Sequence, residues 1–144
     1  LLVCPFLPVI LRGGGRTGSV VQPANEHPLQ HSEQILLNDG IKWKLDDASR
    51  KNIEALQEMV EAMEAKNNRT IKEYNEEGQR IQTQINILIQ NCKMSGKGHE
   101  MLHLWLTPFI NEVKELIAAS ELEKAENYFF RIDHELHRFD LFFE

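Results

Sequence analysis

The sequence predicts an all-α protein that folds as an antiparallel up-down four-helix bundle with an irregular N-terminal arm. Three observations lead to this prediction. From Asp46 onward, apolar residues recur every three or four positions, which is the spacing of one helix face. Capping or glycine signals divide this region into four stretches. The connections between the stretches are short, and short connections make successive helices antiparallel neighbours.

Composition agrees with one domain and a tail. The 144 residues are 42% hydrophobic and 26% charged, as in ordinary soluble globular chains. We predict a flexible tail at residues 1–34, where Gly, Pro, Gln and Ser occur without a period, and a bundle with a short lead-in at residues 35–144. The net charge of -6 argues against a nucleic-acid binder, which needs a basic face. No apolar run reaches the roughly 20 residues that a membrane-spanning helix needs.

The chain begins with the apolar stretch LLVCPFLPVIL, for which three interpretations stay open. It resembles the end of a secretory signal, whose apolar core is short. LLVC also resembles a bacterial lipoprotein cleavage site with Cys4 as the lipidated residue, which predicts membrane anchoring through the N-terminus. A remnant of cloning or read-through is the third interpretation. The first two place the protein in the bacterial periplasm or cell envelope.

The lead-in to the bundle is ILLNDGIKWKL, residues 35–45. Asp39-Gly40 is a turn signal, and Ile41, Trp43 and Leu45 alternate after it. This pattern predicts either a short extended segment or a small hairpin.

The first two helices have clear starting signals. Asp46 and Asp47 supply N-cap oxygens and favourable negative charge at the start of the first helix. After a polar break, Thr70 and Glu73 form a capping box that starts the second helix. The apolar face of the first helix is Ile53, Leu56, Val60 and Met63, and that of the second is Ile71, Tyr74, Gly78, Ile81, Ile85, Leu88 and Cys92.

The other two helices follow a glycine-rich bend. Ser95-Gly96-Lys97-Gly98 should end the second helix, since glycine closes helices in the left-handed conformation. Pro108 lies inside the third helix and should kink it or loosen one turn. Ser120 and Glu123 form a second capping box before the fourth helix. The apolar face of the third helix is His99, Leu102, Leu106, Phe109, Val113 and Leu116. The apolar face of the fourth helix, which keeps its spacing throughout, is Leu122, Ala125, Phe129, Ile132, Leu136, Phe139 and Phe143.

Soft side chains crowd into the bend NCKMSGKGHEMLH, residues 91–103. Cys92 and His99 keep the apolar register, so both should point toward the core, and His103 lies one turn beyond His99 on the same face. Thiolate, thioether and imidazole are ligands that copper(I) prefers, and zinc suits Cys and His. We therefore predict a copper or zinc site in this bend. Its expected ligands are Cys92 and His99, followed by Met94 and His103.

The predicted topology extends this cluster to one pole of the bundle. Counting across the turn at residues 119–120 places His103 level with His137 and Leu106 level with His134. Met59 and Met63 should lie nearer the other pole. We expect all six histidines to gather at the first pole, including His27 and His31 of the tail. The sulfur-containing residues of the bend, Cys92, Met94 and Met101, should lie at the same pole.

Alternatives to a metal site stay open. Cys92 is equally consistent with an inert buried thiol, and Met101 with a filler of the core or surface. We do not expect an enzyme, because the chain lacks a phosphate loop between a strand and a helix and the Glu-x-x-His pattern of di-iron bundles. A Cys92–His99 nucleophile pair shows no sign of an oxyanion hole or a substrate cleft. The other class of function that stays open is a protein-interaction module that binds no small ligand. A homodimer is one assembly that such a module could form.

The segment FINEVKELIAASELEKAENYFFRIDHELHRFDLFF resembles the last helical hairpin of the soluble cytochrome b family of periplasmic four-helix bundles. The resemblance implies a haem at the pole where the first helix starts and the last one ends, held by a Met of the first helix and a His near the C-terminus. This sequence has no Met in the first turns of its first helix, and the family's His falls nearest to Asp140. A haem-binding bundle is the runner-up function, with His99, His103 or His137 as axial ligand.

A second resemblance covers about residues 37–108. The pattern C-x-M-x-G-x-x-H-x-x-L-H-x-x-L-x-P runs from Cys92 to Pro108, after an LNDGxKW-like lead-in from Leu37 to Trp43. It is similar to uncharacterised small envelope proteins of marine and related bacteria. This resemblance implies an envelope location and no established activity.

Overall fold

The structure, a computed structural model, describes residues 34–144 and confirms the predicted all-α fold. Within these residues the helices are α1 (Asp47–Glu64), α2 (Ile71–Asn91), α3 (Gly96–Ala118) and α4 (Leu122–Phe139). In this part of the chain, none of the helices has the length and apolar character needed to cross a membrane. The predictions for the tail, including those for Cys4, His27 and His31, lie outside the described residues.

Contacts between the helices show the predicted antiparallel order. Asn75, near the start of α2, donates through Nδ2 to the Leu116 carbonyl near the end of α3, at 2.9 Å. Trp105, in the first half of α3, donates through Nε1 to the Glu135 carbonyl late in α4, at 3.0 Å. Consecutive helices pack against each other, and α4 returns to contact both α1 and α2. The four helices therefore run up and down around a shared interior.

The apolar faces of the helices meet in one core, as predicted. Three predicted members at helix starts are less buried, namely half-buried Ile71 and His99 and exposed Leu122. The largest fully buried side chain, Trp105, lies outside the predicted face of α3. Its ring stacks on Phe109 with centroids 4.6 Å apart and meets Phe139 edge-on at 4.7 Å. These aromatic contacts anchor α3 to α4 in the half of the bundle that carries the cysteine and histidine bend.

The starts of α1 and α2 are capped as predicted. The Ser49 N–H donates to Oδ1 of Asp46 at 2.7 Å. At α2 the Glu73 N–H donates to Oγ1 of Thr70 at 3.2 Å, while the Thr70 N–H donates to Oε2 of Glu73 at 2.8 Å. Both caps satisfy N–H groups that a helix start leaves without an intrahelical partner.

The predicted capping box of Ser120 and Glu123 is wrong. The N-cap position of α4 is Glu121, and its side chain makes no capping hydrogen bond. The connection is instead held from α2, because Nδ2 of Asn75 also binds the Ala119 carbonyl at 3.1 Å. Ala119 is extended, and the helix begins later than the sequence pattern indicates.

The second helix ends earlier than predicted, before the glycines. α2 stops at Asn91, and Cys92 already has extended dihedral angles of φ -62° and ψ 125°. The Cys92 N–H still donates to the Leu88 carbonyl at 2.9 Å, so Cys92 closes the last turn. The next N–H, that of Lys93, leaves the helix and donates to Oδ2 of Asp46 at 2.6 Å. Asp46, at the start of α1, thus accepts the hydrogen bond that a carbonyl of α2 would accept from Lys93 if the helix continued.

The two glycines of the bend start α3 instead of ending α2. Gly96 is the first residue of α3 and has φ 71°, in the left-handed region that favours glycine. Gly98 allows a close approach, because a Cβ at this position would lie 3.2 Å from Cε3 of Trp43. The arm can therefore pack directly on the first turn of α3.

α3 continues through Pro108. Proline has no N–H to donate to the carbonyl four residues earlier. Oγ1 of Thr107, the residue immediately before Pro108, donates to the His103 carbonyl at 2.9 Å, which adds a side-chain hydrogen bond to this part of the helix. The predicted kink concerns the angle of the helix axis and stays a prediction.

The arm combines the two structures that the sequence left open. Asn38 and Ile41 exchange backbone hydrogen bonds of 2.8 and 3.0 Å around a tight turn. Asp39 (φ 51°) and Gly40 (φ 84°) both occupy the left-handed region, as the central residues of a type I′ turn do. The segment that follows is extended.

The extended part of the arm pairs with the C-terminus. The Trp43 N–H donates to the Phe142 carbonyl at 2.8 Å, and the Glu144 N–H donates to the Trp43 carbonyl at 2.9 Å. α4 ends at Phe139, so the apolar pattern of the last helix does not continue as helix to Phe143. Phe143 is nevertheless buried, because this parallel pairing holds it against the core and its ring stacks on Phe139 at 4.5 Å.

The Asp46 carboxylate gives the fold a pH-dependent contribution. Burial acts to raise its pKa, but hydrogen bonds from Ser49 and Lys93 outweigh burial and lower the pKa below its ordinary value. A lowered pKa in the folded state means that the ionised group stabilises the fold above the unfolded pKa of about 3.9. This stabilisation is lost as the pH falls through the folded-state pKa.

Replacing Asp46 with Ala should lower the free energy of unfolding by about 1 kcal/mol at pH 7, because α1 loses its cap. The deficit should shrink below about pH 4, where the wild-type carboxylate also becomes protonated. Urea unfolding at pH 7 and pH 3 measures both values. Asp47→Ala is the matched control, since Asp47 is exposed in the same turn. Equal deficits for the two variants at pH 7 would contradict the prediction.

Candidate functional site

The candidate site is built around two imidazoles on one face of α3. His99 and His103 are one turn apart, and their Nε2 atoms lie 2.7 Å from each other. The rings meet edge-on, with centroids 4.3 Å apart and an interplanar angle of 74°. A hydrogen bond of this kind needs one N–H and one lone pair, so one imidazole donates to the other, and which one donates depends on the tautomers. The two ring nitrogens therefore converge on one point in space.

Cys92, the residue that follows α2, lines a cavity next to the same two imidazoles. The cysteine is 6% exposed and, within the described residues, is a free thiol. It lines a cavity of about 10 Å³ between α2 and α3 together with His99 and His103. This is the space of about one water molecule. The remaining walls are apolar and consist of Leu88, Ile89, Leu102 and Leu106.

The structure separates Met94 from these three residues. Met94 is half-buried and does not line the cavity, and its Cε lies 3.6 Å from the position that a Cβ on Gly98 would occupy. Met101 is buried, and its Sδ accepts the Leu36 N–H at 3.4 Å. Met94 therefore lies apart from the imidazoles, whereas Met101 lines an open depression of about 730 Å³ together with His99 and His103. The thiol of Cys92 shares a different, smaller cavity with the same two imidazoles, between α2 and α3.

The histidines of α4 lie at the predicted level but face other directions. His137 lines a groove of about 310 Å³ between α1 and α4, with Glu64 and Asp140. His134 lines a depression between α3 and α4, with Glu112. The described histidines thus occupy one half of the bundle without converging, because counting residues gives the height along a helix and not the side that it presents. Val60 and Glu61, which lie between Met59 and Met63 in α1, line the same groove as His137, so these two methionines are not at the opposite pole from His137.

The described part of the chain holds no group of three or more His, Cys, Asp or Glu side chains arranged to hold a metal. The described residues instead form a pair of imidazole nitrogens, from His99 and His103, and the Cys92 thiol lines the same cavity. Two imidazoles that bind one zinc ion at 2.0–2.1 Å with a tetrahedral angle have nitrogens about 3.3 Å apart. The pair would have to open by about 0.6 Å, which a small side-chain rotation provides. The donor types fit zinc and copper.

Comparison with known proteins adds no assignment. No family model, no curated protein and no solved structure matches this sequence. The resemblances to the soluble cytochrome b family and to small envelope proteins therefore stay predictions from the sequence.

The surroundings of two histidines shift their pKa values in opposite directions. Burial, assisted by the nearby positive charge of protonated His99, lowers the pKa of His103. The pKa of His137 is raised, first by its hydrogen bond to the Asp133 carbonyl at 3.0 Å and then by the Asp133 carboxylate 3.1 Å away. At neutral pH the environment thus favours a neutral His103, which is the form that binds metals.

Sequence reasoning missed two contacts that shape this site. The first is the hydrogen bond from the Lys93 N–H to Asp46, which joins residues far apart in the chain. The second is the packing of Trp43 on Gly98. A glycine in the first turn of a helix is a signal of close approach, although the sequence does not say which side chain approaches.

NMR titration should order the histidines by these environments. We expect His103 to titrate below the ordinary histidine pKa of about 6.5 and His137 above it. His99→Gln should raise the pKa of His103, because a neighbouring positive charge is removed. Asp133→Asn should lower the pKa of His137, since it removes a nearby negative charge and leaves the backbone carbonyl in place. A His103 that titrates above His137 would contradict this assignment.

Proposed function

We propose that this protein is a non-enzymatic metal-binding four-helix bundle that holds one copper or zinc ion at the seam between α2 and α3. His99 and His103 supply two nitrogen ligands, and the thiolate of Cys92 supplies a third. The observation that carries the proposal is the distance of 2.7 Å between the two Nε2 atoms. Two imidazoles one helical turn apart form a clasp suited to zinc or copper.

The chemistry of the donors supports a borderline or soft ion. Imidazole suits both zinc and copper, and thiolate favours copper(I) and zinc over magnesium or calcium. Binding replaces the proton between the two imidazoles and removes the proton of the thiol, so affinity should fall as the pH drops through the histidine range. Met94 is a more distant candidate ligand, because it would have to leave its contact beside Gly98.

Haem binding is less well supported by the geometry. Two histidines one turn apart on the same helix cannot approach a haem iron from opposite faces of the ring, so haem would use one of them. His137 lies in a separate groove. An intense Soret band after haem addition, lost in His99→Ala, would replace the metal proposal with the cytochrome-type one. An envelope location, an N-terminal membrane anchor and a homodimer remain predictions.

Native mass spectrometry should detect one zinc or copper(I) ion per chain under anaerobic, reducing conditions. His99→Ala and Cys92→Ala should each weaken binding by roughly tenfold or more, because even residues that only support a ligand contribute about 10- to 100-fold. At a metal concentration a hundredfold above the dissociation constant, the wild-type fold should gain about 2.7 kcal/mol. Thermal unfolding with metal and with chelator measures this gain.

His134→Ala is the control for these variants, since His134 is exposed and lies outside the seam between α2 and α3. It should bind metal like the wild type. A wild-type protein whose melting temperature metal does not move, or equal losses for His134→Ala and His99→Ala, would overturn the proposal. The interaction module without a small ligand is then the better account.

A further inference from the structure

One carboxylate joins the start of α1 to the residue that follows Cys92. Oδ1 of Asp46 accepts the Ser49 N–H at 2.7 Å and caps α1, while Oδ2 accepts the Lys93 N–H at 2.6 Å. The second hydrogen bond spans 47 residues of sequence. Asp46 is half-buried, and a hydrogen bond between an ionised carboxylate and a backbone N–H is stronger than one between neutral groups.

This contact fixes the peptide unit that joins Cys92 to Lys93. On one side, the Cys92 N–H closes the last turn of α2 through the Leu88 carbonyl. On the other side, the Lys93 N–H is fixed by Asp46. Since the peptide unit is planar, holding the Lys93 N–H also holds the Cys92 carbonyl and hence the ψ angle of Cys92. The path of the backbone from Cys92 toward α3, and with it the placement of Cys92 relative to His99, is thereby held from α1.

We infer that Asp46 is the positioning residue of the metal site, which holds the backbone at Cys92 so that this residue stays at the cavity that it shares with His99 and His103. The inference rests on the proposed function and adds a residue that touches neither the ion nor its ligands' side chains. Asp46 holds the chain beside the sulfur ligand and so reduces the reorganisation that metal binding requires. No other described side chain forms a hydrogen bond with the backbone between α2 and α3.

Asp46→Asn separates this role from helix capping. Asparagine caps helices about as well as aspartate, so the bond from Ser49 can be kept. Its side chain has only one oxygen, and its NH₂ group is a donor that cannot accept the Lys93 N–H. Asp47→Asn is the matched control, because it makes the same change of charge at the neighbouring, exposed position. Asp46→Ser is a second variant, which also caps helices but has a shorter side chain.

The test is a titration of each full-length protein with cobalt(II), a coloured substitute for zinc. Thiolate ligation gives a sulfur-to-cobalt charge-transfer band, while the visible d–d bands report the coordination as a whole. We expect Asp46→Asn and Asp46→Ser to bind cobalt roughly 10-fold more weakly, with a diminished charge-transfer band per bound ion. Asp47→Asn should match the wild type. Circular dichroism confirms which variants are folded.

The possible failures are distinguishable. A wild-type protein that binds no cobalt, or binds it without a charge-transfer band, overturns the proposed three-ligand site itself. A wild-type protein with the band, and Asp46→Asn and Asp46→Ser variants with the same band and affinity, overturns only the role of Asp46. Equal weakening in Asp46→Asn and Asp47→Asn also overturns that role, because the effect then belongs to the change of charge.

Discussion

The two hydrogen bonds of the Asp46 carboxylate are the interaction on which the site-bearing end of this bundle depends. One caps the first helix, and the other captures the chain as it leaves the second helix. Cys92 comes immediately before the Lys93 N–H of that second bond, and His99 and His103 follow in the first two turns of α3. Their relative placement therefore depends on how the first helix meets the bend. The arm adds to this constraint, since it pairs with the C-terminus and packs Trp43 on Gly98. The two ends of the described chain and the central bend are thus joined at one pole.

The same arrangement explains how a polar site lies at the edge of an apolar core. Trp105, Phe109 and Phe139 pack against one another in the buried centre of this half of the bundle. His99 and His103 lie at the margin of the seam between α2 and α3, half-buried, where each can satisfy a nitrogen with the other. Burial also favours the neutral form of His103.

Sequence reasoning succeeded where a feature is local or periodic. The apolar spacing predicted the four helices, and the Thr70–Glu73 pair predicted a helix start within one turn. It failed where a contact between distant residues decides the local structure. Asn75 holds the connection before α4, so Ser120 does not cap it. The level of His137 was predictable by counting, but its direction depends on how α4 is rotated against α1, which the packing of the whole core determines.

X-ray absorption spectroscopy of the zinc-loaded protein tests the central claim most directly, because it counts ligand types around the ion. The proposed site predicts two nitrogen neighbours at about 2.0–2.1 Å and one sulfur neighbour at about 2.3 Å. It also predicts that the sulfur neighbour disappears in Cys92→Ser while the nitrogens remain. A spectrum with only nitrogen and oxygen neighbours in the wild type, or one that His99→Ala leaves unchanged, would contradict the account.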